Sequence, residues 1–293
     1  MYFVFFCLFT LVFTKKTLAN HQQLQLRLLS NVPAERKADF APRVIHQKSF
    51  PDISIQKLRR GTGGRSSFNG LIVTVFGTTG FLGRSVVSRL AKIGSQVICP
   101  YRGEPYALEN LKVVGDLGQI LFVPFYLRDV DSLYRAMKHS NVVVNLIGTR
   151  HPTPNFDFES VHVEGAQTIA RIAREVGVKR LIYVSALNSS PNPKPYFVKD
   201  GSKFYRTKYY GELAVREEFP DATIIRPSDM YGELDHYIWY YTNFLRTSFR
   251  KLSLPNGGYG ITKVPVNVSD VAQGIVNAIS DEDAIGNTYD AVG

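Results

Sequence analysis

Cysteine is nearly absent: the 293 residues include two, Cys7 and Cys99. Two thiols cannot make a disulfide framework, so the body is expected to be held together by its core, in a reducing or neutral compartment. No cysteine pair has zinc-ligand spacing, and His139, His151, His162 and His236 are scattered without it, which argues against a metal centre. The chain also lacks a GxSxG elbow and a Walker sequence. Its apolar N-terminal run, residues 1–14, falls short of the roughly 20 residues that a membrane helix needs. A basic body is missing too. The formal net charge is +10, but residues 1–70 hold 11 Lys and Arg against 3 acids, which leaves 24 against 22 for residues 71–293. A body so nearly balanced has no stripe for a phosphate backbone, and nucleic acid is not expected as a main partner. What is present, 44% apolar and 20% charged residues, excludes a disordered chain, a collagen-like repeat and a polytopic membrane protein.

Two regions are expected, an N-terminal basic segment over residues 1–66 and one folded domain over residues 67–293. Residues 1–14 have the length of a secretory core, but Lys15 and Lys16 follow the run where a signal peptide has its charge in front. Asn20 to Ser49 carries Arg27, Arg36, Arg43 and Lys48 against only Glu35 and Asp39, the composition of a mitochondrial transit segment; a basic tail with no address is the other reading.

From Leu71 the pattern becomes short β-branched runs separated by amphipathic stretches. Residues 71–76, 96–98, 120–125, 142–147, 181–184 and 222–225 read as strands apolar on both faces, hence buried and parallel. Three helical stripes lie between or after them: Leu82, Val86, Leu90 and Ile93; Ala166, Ile169, Ala170, Ala173 and Val176; and Ala272, Ile275, Val276 and Ile279, the last opened by Ser269 as N-cap. Alternation over the whole span predicts an α/β fold, a doubly wound parallel sheet with helices on both faces. Pro191 to Pro195 reads as a loop, and the aromatic run Tyr237 to Phe249 as helix packed on the core.

Gly77-Thr78-Thr79-Gly80-Phe81-Leu82-Gly83 directly follows the first strand and opens the first helix. In that context glycines have physical tasks: Gly77 for the turn, Gly80 so that amides reach a pyrophosphate, Gly83 so that helix and strand pack closely. The GxxGxxG spacing resembles the extended and atypical branches of the short-chain dehydrogenase superfamily. Further blocks, Gly61 to Gly70, Gly115 to Gln119, Ser140 to Gly148, Asn155 to Phe158 and Pro227 to Gly232, resemble the accessory Rossmann-fold subunits of mitochondrial NADH:ubiquinone oxidoreductase, complex I, over Gly61 to Gly293. That family generally continues further, so the C-terminal part is expected to be abbreviated here.

The end of the second strand decides the nucleotide. Tyr101-Arg102 stands where an NAD site offers an acid, and a guanidinium there would pair with a 2′-phosphate, which favours NADP(H); a solvated surface arginine is the bland alternative. Arg84 would be a second cation. Asp129 reads equally as an adenine ligand or as an ordinary acid at the start of a helix. The resemblance adds Leu146, Ile147 and Gly148 on the adenosine and ribose side, and contacts from Thr79, Phe81, Leu82, Ser185 and Pro227.

Reduction in this superfamily needs a tyrosine, a lysine four residues later and a serine. The matching stretch reads Phe204-Tyr205-Arg206-Thr207-Lys208: the lysine is present, the tyrosine is phenylalanine, and the serine is displaced, with Ala186 nearer its place than Ser185. Lys208 can still hold ribose hydroxyls. The resemblance therefore implies a non-catalytic subunit that binds one NADP(H), serves the assembly and stability of complex I, has its other subunits as partners, and lies peripherally on the matrix side of the inner membrane. A working NADPH-dependent reductase or epimerase using Tyr205, and an NmrA-like redox sensor, are the alternatives.

Overall fold

Every β-branched run found in the sequence becomes a strand, and the strands join in one sheet. The computed structural model describes residues 69–195, 201–233, 235–242, 259 and 262–293. The basic N-terminal segment and the first part of the Gly61 block lie outside these residues. In chain order the larger elements are β1 (Ile72–Phe76), α1 (Phe81–Lys92), β2 (Gln96–Tyr101), the one-turn α2 (Glu109–Lys112), β3 (Ile120–Pro124), α3 (Val130–Met137), β4 (Val142–Asn145), α4 (Gly165–Val176), β5 (Arg180–Val184), α5 (Lys203–Glu218), β6 (Thr223–Pro227), β7 (Met230–Tyr231), α6 (Tyr237–Thr242), β8 (Val266–Asn267), α7 (Val268–Ser280) and β9 (Thr288–Ala291).

The main sheet has seven strands in the order β3-β2-β1-β4-β5-β6-β9. All its pairings are parallel, with Val73 opposite Val97 on one side and Val142 on the other. A parallel sheet of this size must bury both faces, and side-chain alternation assigns each residue to one of them. On β1, Val73 and Val75 join the core formed with Leu82, Val86 and Leu90 of α1 and with Ala272, Ile275 and Ile279 of α7. Phe76 faces the other way, into Leu133 and Met137 of α3, Ile169 and Ala173 of α4 and Val215 of α5. Each fully buried aliphatic or aromatic side chain contributes about 1.5–3 kcal/mol, so these two slabs supply the main stabilisation. The buried hydroxyl of Thr74 donates to the Ala136 carbonyl at 2.9 Å and leaves no orphan on that face.

Helix ends follow local chemistry. Gly177 closes α4 in the left-handed region, φ 79°. The last helix opens at Asn267, whose Oδ1 accepts from the Ser269 amide at 2.8 Å; the N-cap is thus two residues earlier than expected, because Asn267 is an equally good cap and the chain has already turned there. Ile93 drops out of its stripe for a similar reason. It lies one residue past the end of α1 and is 47% exposed. Of the aromatic run, the described part is helical as expected, but Ile238 and Trp239 are exposed where core packing was expected. The strand-like end of the chain, Thr288–Ala291, is a full seventh strand beside β6.

The Gly115 to Gln119 block sits at the amino end of β3. The buried Gln119 amide donates to the carbonyls of Ala91 and Ser95, at 2.8 and 3.0 Å, and its Oε1 accepts from the Asp116 amide. That ties the loop before β3 to the end of α1, at the edge of the sheet opposite the glycine turn.

Candidate functional site

Going outward from β1, the chain winds one way through β2 and β3 and the other way through β4, β5 and β6. The loops leaving β1 and β4 diverge there, which opens a crevice at their carboxyl ends. The glycine turn lies on it. Gly77 has φ +83°, and a β-carbon on it would stand 3.1 Å from the backbone of Leu146 after β4. A β-carbon on Gly83 would come within 2.2 Å of the Gly77 carbonyl oxygen and 2.7 Å of Thr78 Cα, so the first turn of α1 lies directly on the loop that precedes it. Gly80 is the exposed N-cap of α1, with its own amide bonded back to Gly77 O at 3.1 Å. Thr79 and Gly80 thus lead into a helix start with no side-chain cap, while Leu82 and Phe81 anchor that start on the core.

On the β4–β5 side the groups converge tightly. Leu146 and Ile147 leave β4 in opposite directions, packing against the two cores, and the Ile147 amide bonds Asn145 Oδ1 at 3.0 Å. Gly148 is exposed, and a β-carbon on it would be 3.3 Å from Lys208 Nζ and 3.7 Å from His162 Nε2. Lys208, on α5, is 5% exposed and donates to the Val184 carbonyl at 3.0 Å. Burial lowers its amine from 10.5 to about 8, against the opposing pull of Glu212 one turn further along the helix. The buried Glu212 carboxylate in turn holds Arg226 of β6 through both oxygens and accepts from Ser189 Oγ at 2.7 Å. That grip, not free solvent, fixes the carboxylate behind the lysine, and it raises the Arg226 guanidinium further. Ser185, just past β5, is buried with an Oγ that has no hydrogen-bond partner, and Pro227 ends β6 beside it, bonded through its carbonyl to the Leu187 amide.

His162 was not singled out as a site residue by its sequence surroundings, yet it is fully buried in the middle of this group. Its Nε2 accepts from the Thr149 amide at 3.1 Å, so Nδ1 carries the proton and donates to Thr207 Oγ1 at 2.9 Å. Burial, reinforced by the nearby Lys208 charge, lowers it from 6.5 to about 3. The ring is neutral at any physiological pH.

Beyond the end of β2, arginines and a phenylalanine cluster. Arg102 follows β2 and lies over the Phe156 ring at 5.4 Å; Arg128 covers the same ring at 4.7 Å and bonds the Asn155 carbonyl at 2.7 Å. The cation that shares this ring with Arg102 is Arg128, which the sequence reading did not name; Arg84 is half-buried on the first turn of α1. Asp129 caps α3, accepting from the Asp131 amide at 3.2 Å, the helix-start geometry of its two readings.

The place of the superfamily's tyrosine is taken by Phe204. Its ring meets His162 edge-on at 5.3 Å and Phe158 at 6.3 Å, in an aromatic cluster that brings no hydroxyl. Tyr205, one register along the helix, packs edge-on to Phe204 with ring centroids 5.3 Å apart. Among the described residues no group of His, Cys, Asp and Glu could hold a metal ion, and no helix is long and apolar enough to cross a membrane. This arrangement can bind a dinucleotide through backbone amides, a buried lysine and guanidinium groups; a proton donor for hydride transfer at the usual position is lacking.

The sequence over residues 73–291 matches the family described as the NAD dependent epimerase/dehydratase family. The chain is 44% identical over 268 residues to mouse NADH dehydrogenase (ubiquinone) 1 alpha subcomplex subunit 9, mitochondrial, covering 91% of this chain and 69% of that protein. It is 38% identical over 263 residues to the mitochondrial NADH-ubiquinone oxidoreductase 40 kDa subunit of Neurospora crassa, covering 86% of this chain and 66% of that one. Among solved structures, UDP-glucuronic acid 4-epimerase from Bacillus cereus, in complex with UDP-glucuronic acid and NAD, superposes with a TM-score of 0.60 over 76% of this chain and 78% of that one, at 16% identity, which shows a shared fold. The chain belongs to the NAD dependent epimerase/dehydratase family, and to the family of the complex I alpha subcomplex subunit 9 proteins.

Proposed function

We propose that this chain is a non-catalytic accessory subunit of mitochondrial complex I that holds one NADP(H) as an ordering element and serves the assembly and stability of the complex. The observation that carries the reading is an intact anion-binding turn, Gly77 to Gly83, beside a buried Lys208 whose helix has Phe204 where a proton donor belongs.

The residues present fit the cofactor. A β-carbon at Gly77 would meet the Leu146 backbone and one at Gly83 the Gly77 carbonyl, so the turn closes this tightly only with glycine; the helix start at Gly80, with no side-chain cap, suits a pyrophosphate, and the orphaned Ser185 hydroxyl and Lys208 ammonium are donors for ribose or carboxamide oxygens. When bound, NADPH would supply a hydride to a suitable acceptor. Thr79 to Arg84 would hold the diphosphate, Leu146, Ile147 and Gly148 the ribose side, Ser185, Lys208 and Pro227 the nicotinamide end, and Arg102 the 2′-phosphate, which neutralises charge that an acid there would repel. Asp129 would border the adenine. None of these groups stands where the superfamily's tyrosine delivers its proton, Phe204 taking that place, so in this reading the site retains the cofactor instead of turning it over. Binding to the folded state alone stabilises it by mass action, about 2.7 kcal/mol at a ligand concentration 100 times Kd.

Its relatives are subunits of the mitochondrial NADH-ubiquinone oxidoreductase, which makes the other subunits of complex I its partners; a peripheral place on the matrix face of the inner membrane is part of the proposal. Gentle purification from mitochondria followed by mass spectrometry of released small molecules tests the cofactor, with NADP(H) near one per chain as the expected result. Native gels test the partnership; the chain should migrate with complex I, and its depletion should leave smaller assemblies. Steady NADPH oxidation by the pure protein with carbonyl compounds would overturn the non-catalytic reading.

A further inference from the structure

The two sides of the crevice at Lys208 come from segments far apart in the chain, the loop after β4 and helix α5, and the described contacts that bridge them centre on one imidazole. Thr149, next to Gly148, donates its backbone amide to His162 Nε2 at 3.1 Å. The opposite nitrogen reaches Thr207, the residue before Lys208, at 2.9 Å, and the Thr207 hydroxyl passes on to the carbonyls of Lys203 and Phe204 at 3.0 and 3.1 Å. The ring is clamped between Phe158 and Phe204, with centroids 5.7 and 5.3 Å away. Its own backbone is pinned as well: the His162 carbonyl sits where a β-carbon on Gly211 of α5 would come within 2.2 Å of it. The imidazole is thus fixed from every direction. With one acceptor and one donor nitrogen in use, it links the residue after Gly148 to the residue before Lys208.

We propose, resting on the dinucleotide reading above, that His162 is a positioning residue for the ribose at the lysine end of the cofactor: through Thr149 and Thr207 it holds the Gly148 loop and the Lys208 helix at the separation the ribose needs. Its influence should be confined to that end. The arginine cluster at Arg102, built on β2 and the Asn155–Phe156 loop, has no described hydrogen bond to it.

The test compares two ligands on the full-length chain, NADPH and adenosine 2′,5′-bisphosphate, which carries the 2′-phosphate end and lacks the second ribose. His162→Phe keeps a ring between Phe158 and Phe204 and removes both hydrogen bonds; His162→Gln returns an acceptor near the Nε2 position. The expected result is NADPH binding weakened about tenfold in His162→Phe and restored to within about threefold of the parent in His162→Gln, with the bisphosphate unchanged throughout. Unchanged NADPH binding in His162→Phe, or equal losses of both ligands, would overturn the proposal. Should His162→Phe not fold, Thr207→Val, which deletes only the Nδ1 partner, is expected to weaken NADPH about fivefold and spare the bisphosphate, and no effect on NADPH overturns the proposal in its turn. A parent protein that binds neither ligand would instead sink the dinucleotide reading itself.

Discussion

Gly148 and Lys208 face each other so closely that a β-carbon on the glycine would stand 3.3 Å from the lysine amine. The glycine is exposed and the amine is buried behind it, so an added methyl would meet the far end of a lysine side chain at the surface and not a packed core. Gly148→Ala is therefore expected to act on binding more than on folding. NADPH affinity should fall about tenfold while the unfolding midpoint moves by no more than about 3 °C, as read by titration and thermal melts.

Gly83→Ala should do the reverse. Its β-carbon would overlap the Gly77 carbonyl at 2.2 Å, and backbone cannot yield as a flexible side chain does. A loss of about 2–4 kcal/mol in urea unfolding is expected, together with the loss of NADPH binding because the turn itself must move. A variant as stable as the parent would show that the close contact in the turn is not tight.

The shared ring of Phe156 predicts how the two arginines divide their work. Arg102→Ala is expected to weaken NADPH about 10- to 100-fold and NADH by less than about twofold, because only the former has a 2′-phosphate. Arg128→Ala should have a smaller effect in the same direction, since its guanidinium also serves the Asn155 carbonyl. Equal losses for NADH and NADPH would remove both arginines from the phosphate.

Two buried bases contribute to the dependence of stability on pH, in separate windows. His162 titrates near 3 when folded and near 6.5 when unfolded, so as the pH falls from 6.5 toward 3 the unfolded chain takes up a proton that the folded one refuses. Its contribution is complete above pH 6.5 and is lost on acidification, at up to about 1.4 kcal/mol per pH unit. His162→Gln should flatten that slope. Lys208 works at the alkaline end: between about 8 and 10.5 the folded amine is neutral while the unfolded one is still charged, so stability rises with pH there and the burial penalty is greatest below 8. The parent should gain on Lys208→Met as the pH is raised from 8 to 10; a constant difference between them would mean that the amine is not desolvated.

The strands, the glycine turn and the lysine were legible in the sequence because each depends on neighbours within a few positions. Val73 and Val75 announce a buried strand by alternation, and Gly77 to Gly83 needs only its strand and helix to be meaningful. His162 could not be read that way. Its two hydrogen-bond partners, Thr149 and Thr207, lie on different elements, and nothing near it in the chain marks it as other than a helix residue on an apolar face. The same holds for Arg128, which meets Arg102 only through a phenylalanine from the loop after β4. Where local signals competed, small shifts followed: Asn267 and Ser269 are both good helix caps, and the chain uses the earlier one.

The strand order also has a consequence for synthesis. With β1 inside the sheet, β2 and β3 are laid down to one side and β4, β5, β6 and β9 to the other, each beside a strand already made. No strand has to be threaded between two others, so a chain emerging N-terminus first can grow this sheet outward from β1 without undoing an earlier pairing. The glycine turn closes against Leu146 as soon as β4 arrives. The nascent protein thus closes its glycine turn well before the helix bearing Lys208 exists, so one wall of the crevice is in place before the other is made.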